Sequence, residues 1–133
     1  MPSRSSRAPS KPRPLAYLFT YGTLMRGYGL HRVLASGATF EGEGSVPGRL
    51  LDLGRYPGLI AGRGRVRGEL YGLHRAELLP VLDREEGYNF VRGRTTVMLE
   101  GGRRVSAWLY RYRGPRDRAI PIPHGDYRRL RWR

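Results

Sequence analysis

The sequence contains no cysteine, and none of its apolar runs is long. The absence of cysteine excludes disulfide bonds, thiol nucleophiles and thiolate metal sites. No stretch approaches the roughly 18–20 consecutive apolar residues that a membrane-spanning helix requires, and the basic N-terminus lacks the apolar segment of a secretory signal. At 133 residues, the chain has the length of one domain that can bury its own core. We therefore expect a single-domain cytoplasmic protein with no membrane segment.

Histidine is scarce, and its three copies form no metal-binding pattern. His31, His74 and His124 lie far apart in the sequence, without the HxH or HxxxH spacing of paired metal ligands. The chain also has no GxSxG turn, no P-loop and no GxGxxG segment after a strand, so nucleophilic serine and nucleotide chemistry have little support. We therefore predict neither a metal nor a cofactor.

Acidic residues are also few: 11 stand against 25 lysines and arginines, and the net charge is +14. Most of the excess lies at the ends, with +4 in residues 1–14 and +6 in residues 111–133. We predict a disordered basic leader over residues 1–14, a folded domain over 15–127 and a basic C-terminal tail over 128–133. Solvated surface charge is the favoured explanation, and binding of nucleic acid or another polyanion through the tails is the alternative.

Glycine and proline are abundant, with 19 and 10 copies, and they divide the chain into short elements. The apolar run over residues 15–21 is typical of a strand covered on both faces. Further strands are predicted over residues 39–44, 49–53, 63–72, 92–99 and 103–112, with a break at Pro47-Gly48, a turn at residues 56–58 and a hairpin at Gly101-Gly102. Helices are predicted only over residues 29–35 and 75–86. These are too few for a doubly wound parallel sheet, so we predict an α+β fold, a small mixed β-barrel with short helices.

The first chemically informative segment is Tyr21-Gly22-Thr23-Leu24, at the end of the apolar run. Glycine lets the chain turn here, and the backbone amides that follow Gly22 can form an anion-binding nest for a substrate carboxylate or an oxyanion. An ordinary exit from a strand into a turn explains the same residues. The segment is therefore a candidate binding loop, with both explanations open.

The second segment lies about sixty residues further on, at residues 82–87 (LDREEG). Its three carboxylates lie at the end of a predicted helix, where the helix dipole disfavours negative charge. A structural explanation is pairing with a nearby arginine such as Arg84, Arg92 or Arg94. A functional explanation is a carboxyl group whose pKa is raised by apolar neighbours and which serves as a general base.

Both segments belong to a series of motifs that covers nearly all of residues 15–127. In chain order these are FTYGTLMRG (19–27), DLGRYPGL (52–59), VRGELY (66–71), LDREEGY (82–88), AWLY (107–110) and IPHGDY (122–127). Their order and spacing resemble the gamma-glutamylcyclotransferase-like family, the AIG2-like proteins. No single motif is decisive, but the ordered series is specific.

The resemblance implies a small mixed barrel with a pocket for a small-molecule gamma-glutamyl substrate. It implies that residues 21–24 hold the gamma-glutamyl part, largely through backbone groups, and that Glu86 is the catalytic general acid/base. Glu86 is chosen over Glu85 because the glycine of the motif must follow the acid directly. In the implied reaction the α-amine of the substrate attacks its own γ-carbonyl carbon and 5-oxoproline is released, with no metal or cofactor.

Two positions qualify the resemblance. Phe90 stands where the family often has a tyrosine, so any hydroxyl contact from that position is lost. Glu69 matches a common acid of the family, but it shares a predicted strand face with Arg67, so a surface ion pair is an equally good explanation. Two further alternatives stay open: a non-catalytic binding barrel that uses its basic tails on a polyanion, and a family member that has kept the pocket but lost the reaction.

Overall fold

The computed structural model describes residues 13–130, so the predictions for residues 1–12 and 131–133 lie outside the described residues. In chain order its elements are β1 (Ala16–Thr20), α1 (His31–Ala35), β2 (Ala38–Asp52), β3 (Pro57–Leu73), α2 (Leu78–Glu86), β4 (Phe90–Leu99), β5 (Arg104–Tyr112), β6 (Ile120–Ile122) and a 3-10 helix (Tyr127–Arg129). Among these residues no helix is long and apolar enough to cross a membrane. The cytoplasmic location stays a prediction.

Five strands close into a mixed barrel. Strand β1 lies antiparallel to β3 on one side and parallel to β5 on the other. The antiparallel pairs β5–β4, β4–β2 and β2–β3 complete the ring, and β6 pairs with the far end of β2. The predicted fold class, a small mixed barrel with short helices, is confirmed.

Strand β1 forms the centre of two apolar clusters because its side chains alternate between the two faces of the sheet. Phe19 packs inside the barrel with residues such as Leu70 and Leu109. Leu18 packs on the other face, beneath α1 and α2, with Leu34 and Leu82. Both faces of β1 are therefore covered, as its continuous apolar run predicts.

Strands β2 and β3 are longer than the sequence pattern indicates. Residues 39–44 and 49–53 belong to one strand, and Pro47 and Gly48 form an irregularity within it, where the register against β3 shifts. A bulge tolerates a proline because the missing N–H is not needed in the ladder. The turn predicted at residues 56–58 lies instead at residues 53–56, since Pro57 already pairs with Asp52.

The local signals at the hairpin and the helices are mostly correct. Strands β4 and β5 form the predicted hairpin, whose Gly101 and Gly102 both have positive φ angles. Helix α2 begins at Leu78 rather than at residue 75. Pro80 lies in its first turn, where the backbone N–H has no partner within the helix, so the helix is not broken. Gly87, with φ of 83°, ends the helix.

Candidate active site

The two segments singled out in the sequence meet in the folded chain. A cavity of about 90 Å³ lies between the end of β1 and the end of α2. Its walls include all five predicted site residues, namely Tyr21, Gly22, Thr23, Leu24 and Glu86. A binding loop and an acid that are about sixty residues apart in the sequence thus share one small enclosure.

The loop after β1 uses its carbonyl groups to hold its own shape. The backbone N–H groups of Met25 and Leu30 donate to the carbonyl oxygens of Gly22 and Thr23, each at 3.0 Å. Within residues 13–130, no acceptor is found for the backbone amides of Gly22, Thr23 and Leu24. Because these three residues line the cavity, their N–H groups are the candidate donors for an anionic group there.

Gly22 is required for close packing rather than for an unusual backbone angle. A Cβ atom at this position would lie 2.7 Å from the Cγ atom of Pro57, well inside van der Waals contact. Since Pro57 also lines the cavity, any side chain at Gly22 would push the loop and this wall apart.

The side chain of Tyr21 is held by two hydrogen bonds to the backbone of β5 and β3. Its hydroxyl donates to the carbonyl oxygen of Tyr110 at 2.6 Å and accepts from the backbone N–H of Leu59 at 3.2 Å. Burial and the nearby carboxylate of Glu86 raise the pKa of Tyr21, so its hydroxyl stays protonated. Because its hydroxyl is bonded to two backbone groups of the protein, the Tyr21 side chain is fixed in place, and Tyr21 contributes to the cavity through its backbone.

Glu86 combines partial burial with freedom from strong partners. Burial raises the pKa of Glu86 from 4.5 to about 7 because the charged form loses hydration. Among the described residues its carboxylate has no hydrogen bond or ion pair. An acid with a pKa near neutrality can both accept and return a proton at physiological pH, which is what general acid–base catalysis requires.

Asp83 is the acid that pairs with an arginine. Its two carboxylate oxygens accept from Nε and Nη2 of Arg92 at 2.9 and 3.1 Å, and Oδ1 also accepts from the hydroxyl of Tyr110 at 2.6 Å. Burial alone would raise the pKa of Asp83, but the hydrogen bonds from Arg92 and Tyr110 and the arginine charge together lower it. Pairing with an arginine therefore explains Asp83, whereas a carboxyl group with a raised pKa, suited to act as a general base, fits Glu86.

Seven further residues line the cavity that the sequence does not assign to the site: Thr20, Leu30, Tyr56, Pro57, Glu85, Phe90 and Tyr110. Phe90 packs edge-on against Tyr56, with ring centroids 5.6 Å apart, and forms an apolar wall in place of a hydroxyl. The signal for Tyr56 and Tyr110 was present, because both belong to motifs of the series. Their roles depend on contacts between distant strands, which the motifs do not specify.

The surface ion pair considered for Glu69 and Arg67 is wrong. Arg67 pairs with Glu100 at 3.0 Å on the surface, whereas Glu69 is 2% exposed. The alternation of side chains along β3 places Glu69 on the same face as the exposed Arg67. Glu69 is nevertheless buried, because the loop that follows β1 folds over this part of β3. There Glu69 accepts a hydrogen bond from the backbone N–H of Arg26 at 3.0 Å.

Within residues 13–130, no group of three or more His, Asp or Glu side chains is placed to hold a metal ion. The fold and the site together define a small closed barrel in which an acid of raised pKa shares a cavity with backbone amides that have no acceptor among residues 13–130. The chain belongs to the gamma-glutamyl cyclotransferase, AIG2-like family, whose model matches residues 18–129. The resemblance drawn from the motifs is thereby confirmed, and the function is of the gamma-glutamylcyclotransferase type.

Curated relatives and a solved structure agree with this assignment. The Escherichia coli gamma-glutamylcyclotransferase family protein YtfP is 34% identical over 113 residues, covering 83% of this chain and 94% of that protein. The gamma-L-glutamyl-butirosin B gamma-glutamyl cyclotransferase of Niallia circulans is 30% identical over 122 residues, covering 86% and 76%. The crystal structure of an AIG2-like protein from Mus musculus is similar with a TM-score of 0.70 and 27% identity, over 84% of this chain and 87% of that one.

Proposed function

We propose that this protein releases 5-oxoproline from a small gamma-glutamyl amine, peptide or metabolite. The observation that carries the proposal is the shared cavity: it is lined by Glu86, with a pKa of about 7, and by Gly22, Thr23 and Leu24, whose backbone amides have no acceptor among the described residues. The relative from Niallia circulans, which is named for a gamma-glutamyl substrate, supports the substrate class.

The proposed reaction is an intramolecular acyl transfer. The amides of residues 22–24 bind the gamma-glutamyl part and stabilise negative charge on the reacting oxygen. Glu86 accepts a proton from the α-amine, whose nitrogen forms a bond to the γ-carbonyl carbon. The bond from that carbon to the leaving nitrogen then breaks, Glu86 returns the proton to the leaving amine, and the ring is 5-oxoproline. Because the attacking and attacked atoms belong to one molecule, much of the rate enhancement comes from holding the substrate in a conformation that brings these atoms together.

The three neighbouring acids differ in their suitability as the proton carrier. Asp83 is bound by Arg92 and Tyr110, and its lowered pKa makes it a weak base. Glu85 also lines the cavity, but it is exposed to solvent. Glu86 is partly buried in the cavity wall, and burial raises its pKa to about 7, which suits a group that must both accept and return a proton.

The test is release of 5-oxoproline, detected by mass spectrometry, from a panel of gamma-glutamyl amines, gamma-glutamyl amino acids and gamma-glutamyl lysine. We expect turnover of at least one member by the wild type and a loss of about 100-fold or more in Glu86→Gln, the usual contribution of a general acid–base residue. Glu85→Gln, which removes the adjacent charge, is expected to cost far less. No release from any member of the panel would sink the proposal, and the reverse order of the two variants would move the catalytic role to Glu85.

A further inference from the structure

The end of the candidate binding loop is attached to a buried carboxylate outside the cavity wall. The side chain of Glu69 is 3% exposed. Its Oε1 accepts from the backbone N–H of Arg26 at 3.0 Å and from the hydroxyl of Tyr71 at 2.8 Å, and its Oε2 accepts from Nε of Arg26 at 3.2 Å. Both oxygens of a buried acid are therefore occupied, and two of the three donors belong to the residue that directly follows the turn of residues 22–25.

A second arginine, Arg128, completes this cluster from the C-terminal segment, residues 125–128. Nη1 of Arg128 lies 3.7 Å from Oε2 of Glu69 and donates to Glu43 at 2.9 Å. Glu43 also accepts from Nη2 of Arg26 at 3.3 Å. Asp126 in turn accepts from the backbone N–H and from Nε of Arg128, both at 3.0 Å, which fixes the direction of the guanidinium.

The C-terminal segment is docked firmly enough to support such a cluster. The carbonyl oxygen of Gly125 accepts from the backbone N–H of Arg67 on β3 at 2.8 Å. Gly125 has φ of +71°, and a Cβ atom there would overlap the carbonyl oxygen of Arg65. Further along, the ring of Tyr127 lies 5.6 Å from the ring of Tyr28, which follows the loop. The segment thus reaches the loop region both through charges and through an aromatic contact.

The physical consequence is that the loop geometry depends on charges that lie outside the cavity. Multidentate hydrogen bonds between guanidinium and carboxylate groups are directional, and a buried acid that loses a partner is strongly disfavoured. The Arg26 N–H is held at Glu69, so the chain immediately before it has little freedom to rotate. Backbone amides stabilise a developing charge well only when they are oriented before the substrate arrives.

We propose that Glu69 and Arg128 are positioning residues that hold the loop of residues 21–26 in its binding geometry. By means of Arg128, the C-terminal segment then contributes to the geometry of the site. Neither residue lines the cavity, so they act through the loop backbone. The effect on catalysis rests on the proposed function, whereas the effect on the loop itself does not.

Three variants and one matched control test this. Arg128→Met removes the guanidinium, Arg128→Lys keeps the charge but lacks the planar fork, and Glu69→Gln keeps the shape but removes the charge. The control is Arg67→Met, two positions from Glu69 on β3, which breaks only the exposed ion pair with Glu100. Each protein is measured by amide hydrogen exchange and by kinetics of 5-oxoproline release.

In Arg128→Met and Glu69→Gln we expect exchange of the hydrogen-bonded loop amides of Met25, Arg26 and Leu30 to rise about tenfold or more, with no comparable rise in the β4–β5 hairpin. We expect kcat/KM to fall about 10- to 100-fold, with KM raised because a misplaced loop binds substrate less well and kcat lowered because its amides stabilise the developing charge less well. Arg128→Lys should lie between the wild type and Arg128→Met, and Arg67→Met should match the wild type. If Arg128→Met does not fold, the other two variants decide the matter.

Two results overturn the inference. One is unchanged loop exchange in the variants, and the other is an equal rise throughout the barrel, which would mean a purely structural role. Absence of turnover in the wild type would remove the proposed function but leave the exchange result valid, so the two failures are distinguishable.

Discussion

The raised pKa of Glu86 predicts a defined dependence of stability on pH. In the folded protein the pKa is about 7, against an ordinary value of 4.5. The folded state therefore binds this proton more tightly than the unfolded state does. Stability from this group is highest below pH 4.5, declines as the pH rises to about 7, and is constant above that.

The magnitude follows from the two pKa values. At 1.36 kcal/mol for each pH unit, the ionised Glu86 carboxylate costs about 3 kcal/mol of folding free energy above pH 7. Glu86→Gln removes the ionisation but keeps the size of the side chain. The free energy of unfolding of the variant, relative to that of the wild type, should therefore increase by about 3 kcal/mol between pH 4 and pH 8. This corresponds to about 10 °C in Tm for a domain of this size.

The assay is urea unfolding of the wild type, Glu86→Gln and the matched control Glu85→Gln at several pH values, followed by circular dichroism. The pH-dependent part of the difference isolates the ionisation, because any packing change caused by glutamine is present at every pH. In the wild type, kcat/KM should rise with pH through about 7, since the general base must be deprotonated. A flat stability difference between pH 4 and pH 8 would refute the burial argument, whatever the activity.

Three further predictions concern the residues around Glu86. Gly22→Ala should lower stability by about 1–3 kcal/mol and raise KM, because its Cβ would overlap Pro57, as measured by thermal unfolding and kinetics. Tyr21→Phe should cost about 1–3 kcal/mol in urea unfolding, because it leaves two buried backbone partners without the hydroxyl. Asp83→Asn should cost about 1 kcal/mol or less at pH 7, since the carboxylate that pairs with Arg92 is partly exposed. The lowered pKa of Asp83 means that this loss should shrink as the pH falls below about 4.

Each of these has an outcome that contradicts it. Unaltered KM in Gly22→Ala would show that the loop can move away from Pro57 without harm. Full stability of Tyr21→Phe would show that the hydroxyl does not join the strands. A loss of turnover in Asp83→Asn as large as that in Glu86→Gln would show that the ion-paired acid takes part in the chemistry.

Much of the fold follows from local patterns in the sequence. The apolar run before Tyr21 predicts a central strand, Gly101-Gly102 predicts the hairpin, and Gly87 predicts where α2 ends. These signals are reliable because each depends on the conformational preferences of a few adjacent residues. The choice of Glu86 also came from the sequence, through its position directly before Gly87 in a family motif, and its role stays a proposal.

The tertiary structure decided which groups meet and which charges are buried. The hydroxyl of Thr20 bonds to a residue 49 positions away, and that of Tyr21 to one 89 positions away. Asp83 and Glu86 are nearly equivalent in the sequence, but only Asp83 lies within reach of Arg92. Glu69 shares its strand parity with the exposed Arg65 and Arg67 yet is buried, because the loop after β1 covers it. A carboxylate acquires its partners and its loss of hydration only when strands far apart in the sequence come together, and those two factors set its pKa and its role.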